Sequence, residues 1–548
     1  FSSRRRHTRY ISVTGVQTCA LPIYPTSLIT AILKAPVGLV WFGGIGTYVK
    51  ASHQANSSVG DPANDPVRVD ANELRAKVIG EGANLAITQA ARIEFSEEGG
   101  RCNTDFIDNS AGVDCSDNEV NIKIPLNQEM LEGSLTLEAR NELLARMTDE
   151  VSELVLEDNR RQTLALSVAE SGGVAALPAQ VRTLELLEAS GRLDREVEGL
   201  ETSEELLRRG ADNRGLTRPE LAVLLSLSKL SLQDAAEELR LADDPLMEEQ
   251  LLEAFPAPMR RKHHASILAH RLRHEIVATK VANRFVNRLG PSIALDLTEE
   301  EGCSQGQVVA AFLTAERLLQ LDRLWDRLDA APVSEATRLS LFTIAAQSVR
   351  NHIADILRAG GGETRVSALV EMLQPGLTKV NAEARSIIRH EVKTQASARQ
   401  ETLEAMGAPV EITRGLVKLY ELDGVFGIAG LAARKEMDVL ALTQAYVRIG
   451  EVLGIDWAQS QAVRLSPADQ WERLLVAGLA NEFEQLRLEW LARVRGDDPE
   501  ASVERWTERQ AQRIGQFRQL VSRARSSGHV TVPMLAQIAG QARILLAR

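Results

Sequence analysis

Short apolar runs separated by glycine-containing polar loops dominate the chain from about residue 24 to residue 126. Residues 37–42 (VGLVWF) and 77–80 (KVIG) each end at such a loop, and residues 102–107 form a third run of the same kind. Between them, residues 86–98 have the length and composition of a helix. Short apolar strands alternating with helices are typical of a parallel sheet covered on both faces. The pattern therefore predicts an α/β unit with parallel strands over residues 24–127.

The pattern changes after residue 127, where Leu, Ala, Glu and Arg dominate and helix start and stop signals recur. Thr217 and Glu220 have the spacing of a capping box, which is typical of a helix N-terminus. Apolar residues recur at four- and five-residue steps from Leu268 to Leu289, as expected for one helix face, and Gly290-Pro291 should end that helix. Residues 128–548 are thus predicted to form a large all-α region without a fixed repeat.

Composition narrows the class of protein. The chain has 548 residues, of which 44% are apolar and 25% charged, and its formal net charge is −12. An acidic balance argues against nucleic-acid binding, which needs a basic surface. No apolar run approaches the ~20 residues of a membrane helix. Four cysteines in so long a chain fit a reducing compartment, so we expect a cytoplasmic location with neither nucleic acid nor membrane as partner.

Residues 1–23 differ from the rest. They contain four arginines and no acidic residue, and the chain does not begin with Met. A transit peptide would share the Arg- and Ser-rich composition. The segment also resembles the translation of a sequencing-library adapter, and we predict that it is not native.

Candidate chemistry lies in the three loops that follow the predicted strands, because open parallel sheets bind ligands at the carboxyl ends of their strands. The first loop contains Gly43, Gly44 and Gly46, which would let a ligand approach the backbone closely. The second and third loops, residues 81–84 (EGAN) and 109–116 (NSAGVDCS), each carry an amide side chain.

Each loop also has a simpler interpretation. The glycines could form a tight turn, Asn84 could close an Asx turn or cap a helix, and Ser116 could cap a helix through Glu119. The GxGxxG fingerprint of pyrophosphate binding is absent. His270 and His274 are four residues apart, but without a third ligand at a fitting spacing we expect no metal site.

Three segments near the N-terminus, LVWFGGIGTYVKAS, KVIGEGANLAITQAARIEF and GRCNTDFIDNSAGVDCSDNEVNIKI, resemble the large bacterial NAD-specific glutamate dehydrogenases. The resemblance continues through NRGLTRPELAVLLSLSK and HRLRHEIVATKVANRFVNRLGPS to the C-terminus. More distantly, the chain is similar to the small hexameric glutamate dehydrogenases, where EGAN is followed by NAGGVTVSYFE. Asn109, Gly112, Val113, Ser116 and Glu119 match letters of that second motif, whereas Asp114 and Cys115 depart from it.

The resemblance implies oxidative deamination of L-glutamate with NAD and water to 2-oxoglutarate, ammonium and NADH. It implies that this chain holds the end of a Rossmann-like catalytic domain, and that Asn84 and Asn109 lie beside the nicotinamide ribose and carboxamide. Ser116 would bind the side-chain carboxylate of the substrate. The residues implied to face the cofactor are Gly43, Gly44, Gly46, Thr47, Glu81, Gly82, Asn84, Asn109 and Gly112.

The same resemblance places the family's catalytic Lys and Asp and its glycine-rich pyrophosphate loop upstream of these segments. We therefore expect residues 24–548 alone to form no NADH from glutamate, which a direct turnover assay would test, and the intact enzyme to be a homo-oligomer. Two alternatives remain open at this point: another amino-acid dehydrogenase, and a helical interaction module without enzymatic activity.

Overall fold

A computed structural model describes residues 24–387, 390–465, 470–496 and 498–547. The chain divides after Asp105 into two units, residues 1–105 and 106–548. The prediction for residues 1–23 falls outside the described residues. The architecture is a small parallel α/β unit followed by a large helical unit, which agrees with the broad fold prediction.

The first unit is built on two parallel strand pairs. Strand β1 pairs with β4 in a register that sets Phe42 beside Glu81, and β2 pairs with β3. Its own apolar core includes Val49, Ile87 and Phe95. The elements of this unit are α1 (Pro25–Leu33), β1 (Leu39–Phe42), β2 (Val49–Lys50), α2 (Asn56–Val59), β3 (Val69–Asp70), β4 (Val78–Glu81) and α3 (Gln89–Glu97).

The predicted strands at residues 37–42 and 77–80 are confirmed as β1 and β4, and the helix predicted at 86–98 is confirmed as α3. The prediction of a third strand at residues 102–107 is wrong. In this fully described stretch a single parallel bridge joins Arg101 to Val78, and the chain then turns into the short helix α4 (Asp105–Asp108). The polar residues between Arg101 and Phe106 break the apolar run that suggested a strand.

The second unit is helical among its described residues and has a continuous apolar core. Its helices are α5 (Ser110–Leu131), α6 (Leu137–Ser171), α7 (Gly173–Ala189), α8 (Ser203–Ala211), α9 (Arg218–Glu238), α10 (Glu248–Glu253), α11 (Ala257–Lys262), α12 (His264–Leu268), α13 (Arg273–Leu289), α14 (Ile293–Glu301), α15 (Gln305–Leu319), α16 (Leu321–Asp329), α17 (Glu335–Gly360), α18 (Val366–Ile387), α19 (His390–Ala405), α20 (Val410–Glu421), α21 (Val425–Lys435), α22 (Val439–Leu453), α23 (Ile455–Arg464), α24 (Gln470–Arg493), α25 (Pro499–Arg509), α26 (Ala511–Ser526) and α27 (Val532–Leu546). The proposed domain boundary at residue 127 falls inside α5 and stays a prediction.

Local signals explain several helix ends in this unit. Thr217 and Glu220 form the predicted capping box at the start of α9, and Gly290 ends α13. The helix face predicted from Leu268 to Leu289 is confirmed only from Ile276 onward, where it is buried in α13, because Leu268 ends α12 and Leu272 precedes α13. Phe285 of this face packs edge-on against Phe312 at a centroid distance of 4.9 Å. Within the described ranges, no single helix is long and apolar enough to cross a membrane. The pair α6 and α7, bent by 111°, passes that length and composition test only when its helices are taken together.

Candidate functional site

Two of the three predicted loops lie side by side at the carboxyl ends of β1 and β4. The Gly82 amide donates to the Phe42 carbonyl at 2.8 Å, which continues the strand pairing into the loops. Further along, the Thr47 hydroxyl donates to the Leu85 carbonyl at 2.7 Å. The segments 43–47 and 81–84 therefore lie together at one edge of the sheet.

Hydrogen bonds to Asp61 fix the first of these loops. The Asp61 carboxylate accepts hydrogen bonds from the Thr47 amide and the Asn64 side-chain amide, both at 2.8 Å. The Thr47 amide, followed by Asn64, holds the pKa of Asp61 below its usual value. Gly46 has φ +116°, and a Cβ on it would lie 2.5 Å from the Asn64 side chain, so this position requires glycine. Gly43 and Gly44 are exposed, which leaves the loop backbone open to a ligand.

A buried ion-pair cluster positions the second loop. Arg92 of α3 donates two hydrogen bonds to the Glu81 carboxylate, at 2.7 and 2.8 Å, and its Nη2 lies 3.2 Å from Asp105. The other Asp105 oxygen accepts from the Leu85 amide at 2.7 Å, and Leu85 has the left-handed φ of +59°. Burial opposes the charge on Arg92, but the two carboxylates outweigh it and raise the pKa of Arg92 above its ordinary value. The Glu81 carboxylate thus points into the unit, whereas Asn84 is exposed.

Trp41 is a feature of this edge that the sequence reasoning missed. Its indole lies across the neighbouring strand, directly over two glycines. A Cβ added to Gly80 or to Gly82 would lie 2.6 Å from the ring. The side chain remains 60% exposed. An aromatic ring that covers a cross-strand glycine is a known way of stabilising a sheet, and here it leaves a flat aromatic surface beside the two loops. An outward-facing Trp opposite a G-x-G sequence was the available signal.

Asn109, Gly112 and Ser116 belong to the second unit and lie at the start of α5. Asn109 is the N-cap residue, and the three positions follow a spacing of three and four residues, which places them on one helix face. Gly112 and Ser116 are exposed. The interpretation of Ser116 as a helix cap is wrong, because the helix begins six residues earlier. Ser116 therefore presents an exposed hydroxyl in the second turn of α5.

Asp114 lies on a different face of α5. The Asn118 side chain donates to its Oδ1 at 3.0 Å, and burial raises the pKa of Asp114, while Lys280 of α13 opposes this shift. The departure from the hexameric motif at Asp114 therefore concerns packing within the helical unit. His270 lies 3.1 Å from the Asn121 carbonyl through Nε2 and accepts from the Leu272 amide through Nδ1, as a structural histidine does.

The paired loops and the helical unit define a class: a small parallel α/β unit with two loops joined at one sheet edge, followed by a large helical extension. The family model described as "Glutamate dehydrogenase, C-terminal" matches residues 213–543, and the model described as "Bacterial NAD-glutamate dehydrogenase, catalytic domain" matches residues 8–169. The chain belongs to the bacterial NAD-glutamate dehydrogenase family.

Curated relatives agree with this assignment. The chain is 36% identical over 485 residues to the NAD-specific glutamate dehydrogenase of Halomonas elongata, a match that covers 88% of this chain and 30% of the relative. It is 36% identical over 527 residues to the Pseudomonas aeruginosa protein of the same name, with 93% and 32% covered, and 34% identical over 541 residues to that of Mycobacterium tuberculosis, with 96% and 33% covered. The chain thus spans about a third of the length of the curated relatives it matches.

Proposed function

We propose that this chain contributes the nicotinamide-facing wall and the helical C-terminal region of an NAD-dependent glutamate dehydrogenase. The enzyme converts L-glutamate, NAD and water to 2-oxoglutarate, ammonium and NADH. The observation that carries the proposal is the joined loop pair, residues 43–47 and 81–84, in a segment that matches the family's catalytic domain. Neither another amino-acid dehydrogenase nor a purely helical binding module is favoured by the names of the relatives.

The residues present fit the nicotinamide half of the cofactor. Gly43, Gly44 and Gly82 leave the backbone accessible, and the exposed Trp41 ring lies directly beside Gly82. In this proposal Asn84 and Asn109 bind the nicotinamide ribose and carboxamide, since an amide offers both donors and an acceptor. When bound, NAD accepts the hydride from the substrate.

Other residues act by positioning. The buried Glu81 carboxylate holds its loop through Arg92, so we assign it to loop support, with its backbone facing the cofactor. Thr47 does the same for the first loop through Asp61 and Leu85. Gly112 keeps the start of α5 open, and Ser116 donates a hydrogen bond to the side-chain carboxylate of glutamate.

We also propose the domain type, the oligomeric state and the cellular location of the enzyme. The parallel strand pairs form the end of a Rossmann-like domain, and the intact enzyme is a homo-oligomer that acts in glutamate catabolism. Its low cysteine content suits the reducing cytoplasm. The small-molecule substrates need neither nucleic acid nor a membrane as partner.

The cofactor assignment predicts that this chain binds reduced nicotinamide mononucleotide but not AMP. Binding should quench tryptophan emission by energy transfer to the reduced ring, and the Trp41→Phe variant should lose most of that change. Gly82→Ala should weaken binding by roughly tenfold, a cost of about 1.4 kcal/mol, because its Cβ displaces the Trp41 ring. Fluorescence titration measures both effects.

Gly38→Ala is the matched control, since a Cβ there meets nothing within 4 Å. It should bind the mononucleotide like the unmodified chain. Equal binding of AMP and the mononucleotide, or the same affinity for Gly82→Ala and Gly38→Ala, would contradict the assignment of these loops to the nicotinamide.

A further inference from the structure

A polar cluster lies inside the helical unit, where α17, the turn after α20 and α24 meet. His352 and Asp355 are three residues apart on α17, and Asp423 follows α20. One ring nitrogen of His352 and one carboxylate oxygen from each of the two aspartates all lie within 4.8 Å of one another. Glu484 approaches from α24: its Oε1 lies 3.3 Å from the position a Cβ on Gly424 would take.

The hydrogen bonding of His352 leaves one ring nitrogen available. The residue is 1% exposed, and its Nε2 lies 3.0 Å from the Leu419 carbonyl. Because a carbonyl can only accept, Nε2 carries the proton and Nδ1 presents a lone pair. That buried Nδ1 has no hydrogen-bond partner among the described residues. A carbonyl that fixes the far nitrogen is the usual support of a metal-binding histidine.

Glu484 provides a second, independent sign of a missing ligand. It is 7% exposed, and its Oε1 is buried without a hydrogen-bond partner in the part of the chain that the structure describes. It lies next to Gly424, whose amide donates to Asp355 Oδ2 at 2.8 Å. A buried acceptor left unsatisfied costs about 1–3 kcal/mol, more when charged, so two of them close together favour a compensating group.

The charges around the cluster favour a divalent cation. Arg358 bonds to both Asp355 and Glu301 at 2.6 Å, and Arg487 bonds to Asp456 at 2.7 Å. Arg399 packs over the Tyr420 ring. In and around the cluster there are five carboxyl groups and three guanidinium groups. The carboxyl groups belong to Asp355, Asp423, Glu484, Glu301 and Asp456, and the guanidinium groups to Arg358, Arg399 and Arg487.

We propose that His352, Asp355, Asp423 and Glu484 bind one divalent transition-metal ion, of the Zn²⁺ or Mn²⁺ type, that joins α17, the turn after α20 and α24. One imidazole and three carboxylates form a ligand set that these ions accept. Ligand atoms about 2.1 Å from an ion lie roughly 3–4 Å apart. The ligand atoms of His352, Asp355 and Asp423 lie within 4.8 Å of one another and need only a small contraction, and Glu484 would complete the set from beside Gly424. Asp423 is exposed and gives the ion access from solvent. This site is independent of the proposed reaction.

Metal binding to the whole chain tests the proposal. After treatment with EDTA and dialysis, titration with Mn²⁺ or Zn²⁺ should show one site per chain, and a saturating ion should raise the unfolding temperature. Glu484→Gln and Asp423→Asn should each weaken binding by roughly tenfold or more. Glu489→Gln is the control: it lies on the same helix, is exposed, and bonds only to Gln485 among the described contacts.

Isothermal titration measures the affinity of each variant for the ion, and elemental analysis measures the metal content per chain. Glu484→Gln should fold about as stably as the unmodified apo chain, because the amide keeps the size of a buried side chain whose Oε1 has no hydrogen-bond partner among the described residues. Asp423→Asn provides a second variant at an exposed position in case the first fails to fold. Absence of a site in the unmodified chain, or equal affinity in the Asp423→Asn and Glu489→Gln variants, would overturn the proposal.

Discussion

Arg92→Met should destabilise the first unit by about 3–5 kcal/mol, because it leaves two buried carboxylates without their cation. Glu81 is 1% exposed and Asp105 is 8% exposed, so neither can recover its hydration without local unfolding. The loop that carries Asn84 should open first, since Asp105 also holds the Leu85 amide. Hydrogen exchange resolved by peptide measures the loss of protection across residues 78–95.

An exposed ion pair in the same unit provides the control for this variant. Lys34 contacts Glu73 at 2.5 Å, but about a third or more of each side chain is accessible to solvent. Lys34→Met should therefore cost no more than about 1 kcal/mol. If both substitutions have the same effect on exchange, the buried cluster does not stabilise the loop as we infer.

Ser116→Val in the complete enzyme should reduce kcat/KM for glutamate by roughly 10–150-fold. A hydrogen bond to a charged group contributes about 1.5–3 kcal/mol, and valine cannot replace it. The relative rate with apolar amino acids should rise, because an apolar residue at this position no longer favours a carboxylate. Steady-state kinetics with glutamate and an apolar amino acid measure this change in specificity.

Ser152→Val makes the same chemical change on α6, at an exposed helical serine that bonds only to the Thr148 carbonyl in the described structure. It should leave kcat/KM for both substrates nearly unchanged. An unaltered preference for glutamate in Ser116→Val would count against the substrate role of Ser116 and would favour another amino-acid dehydrogenase.

Signals within a few residues of sequence predicted much of this fold. The capping box at Thr217, the stop at Gly290 and the apolar runs of β1 and β4 each depend on neighbours close in the chain. The rule that ligand loops follow parallel strands indicated three loops, of which the two after β1 and β4 lie side by side, whereas residues 109–116 belong to the start of α5. The prediction of a third strand was wrong because this short run contains several polar residues. Its only bridging position in the described structure is at Arg101.

Contacts between distant residues were not predictable in this way. The Thr47–Leu85 hydrogen bond joins residues 38 apart, and Glu484 reaches the His352 cluster across more than a hundred residues of sequence. The interior position of the Glu81 carboxylate depends on Arg92, and nothing in the EGAN motif indicates that pairing. Helical periodicity likewise missed the break between α12 and α13, which divides the helix face predicted from Leu268 to Leu289.

The Trp41 ring occupies the space that side chains at positions 80 and 82 would need. These three positions therefore behave as one steric unit, and their substitutions should not be independent. A homologue that carries alanine or a larger residue at position 80 or 82 should carry a smaller residue at position 41. In evolutionary terms, the cross-strand contact is a site of expected covariation, where the order in which substitutions arise decides which of them a folded sheet can accept.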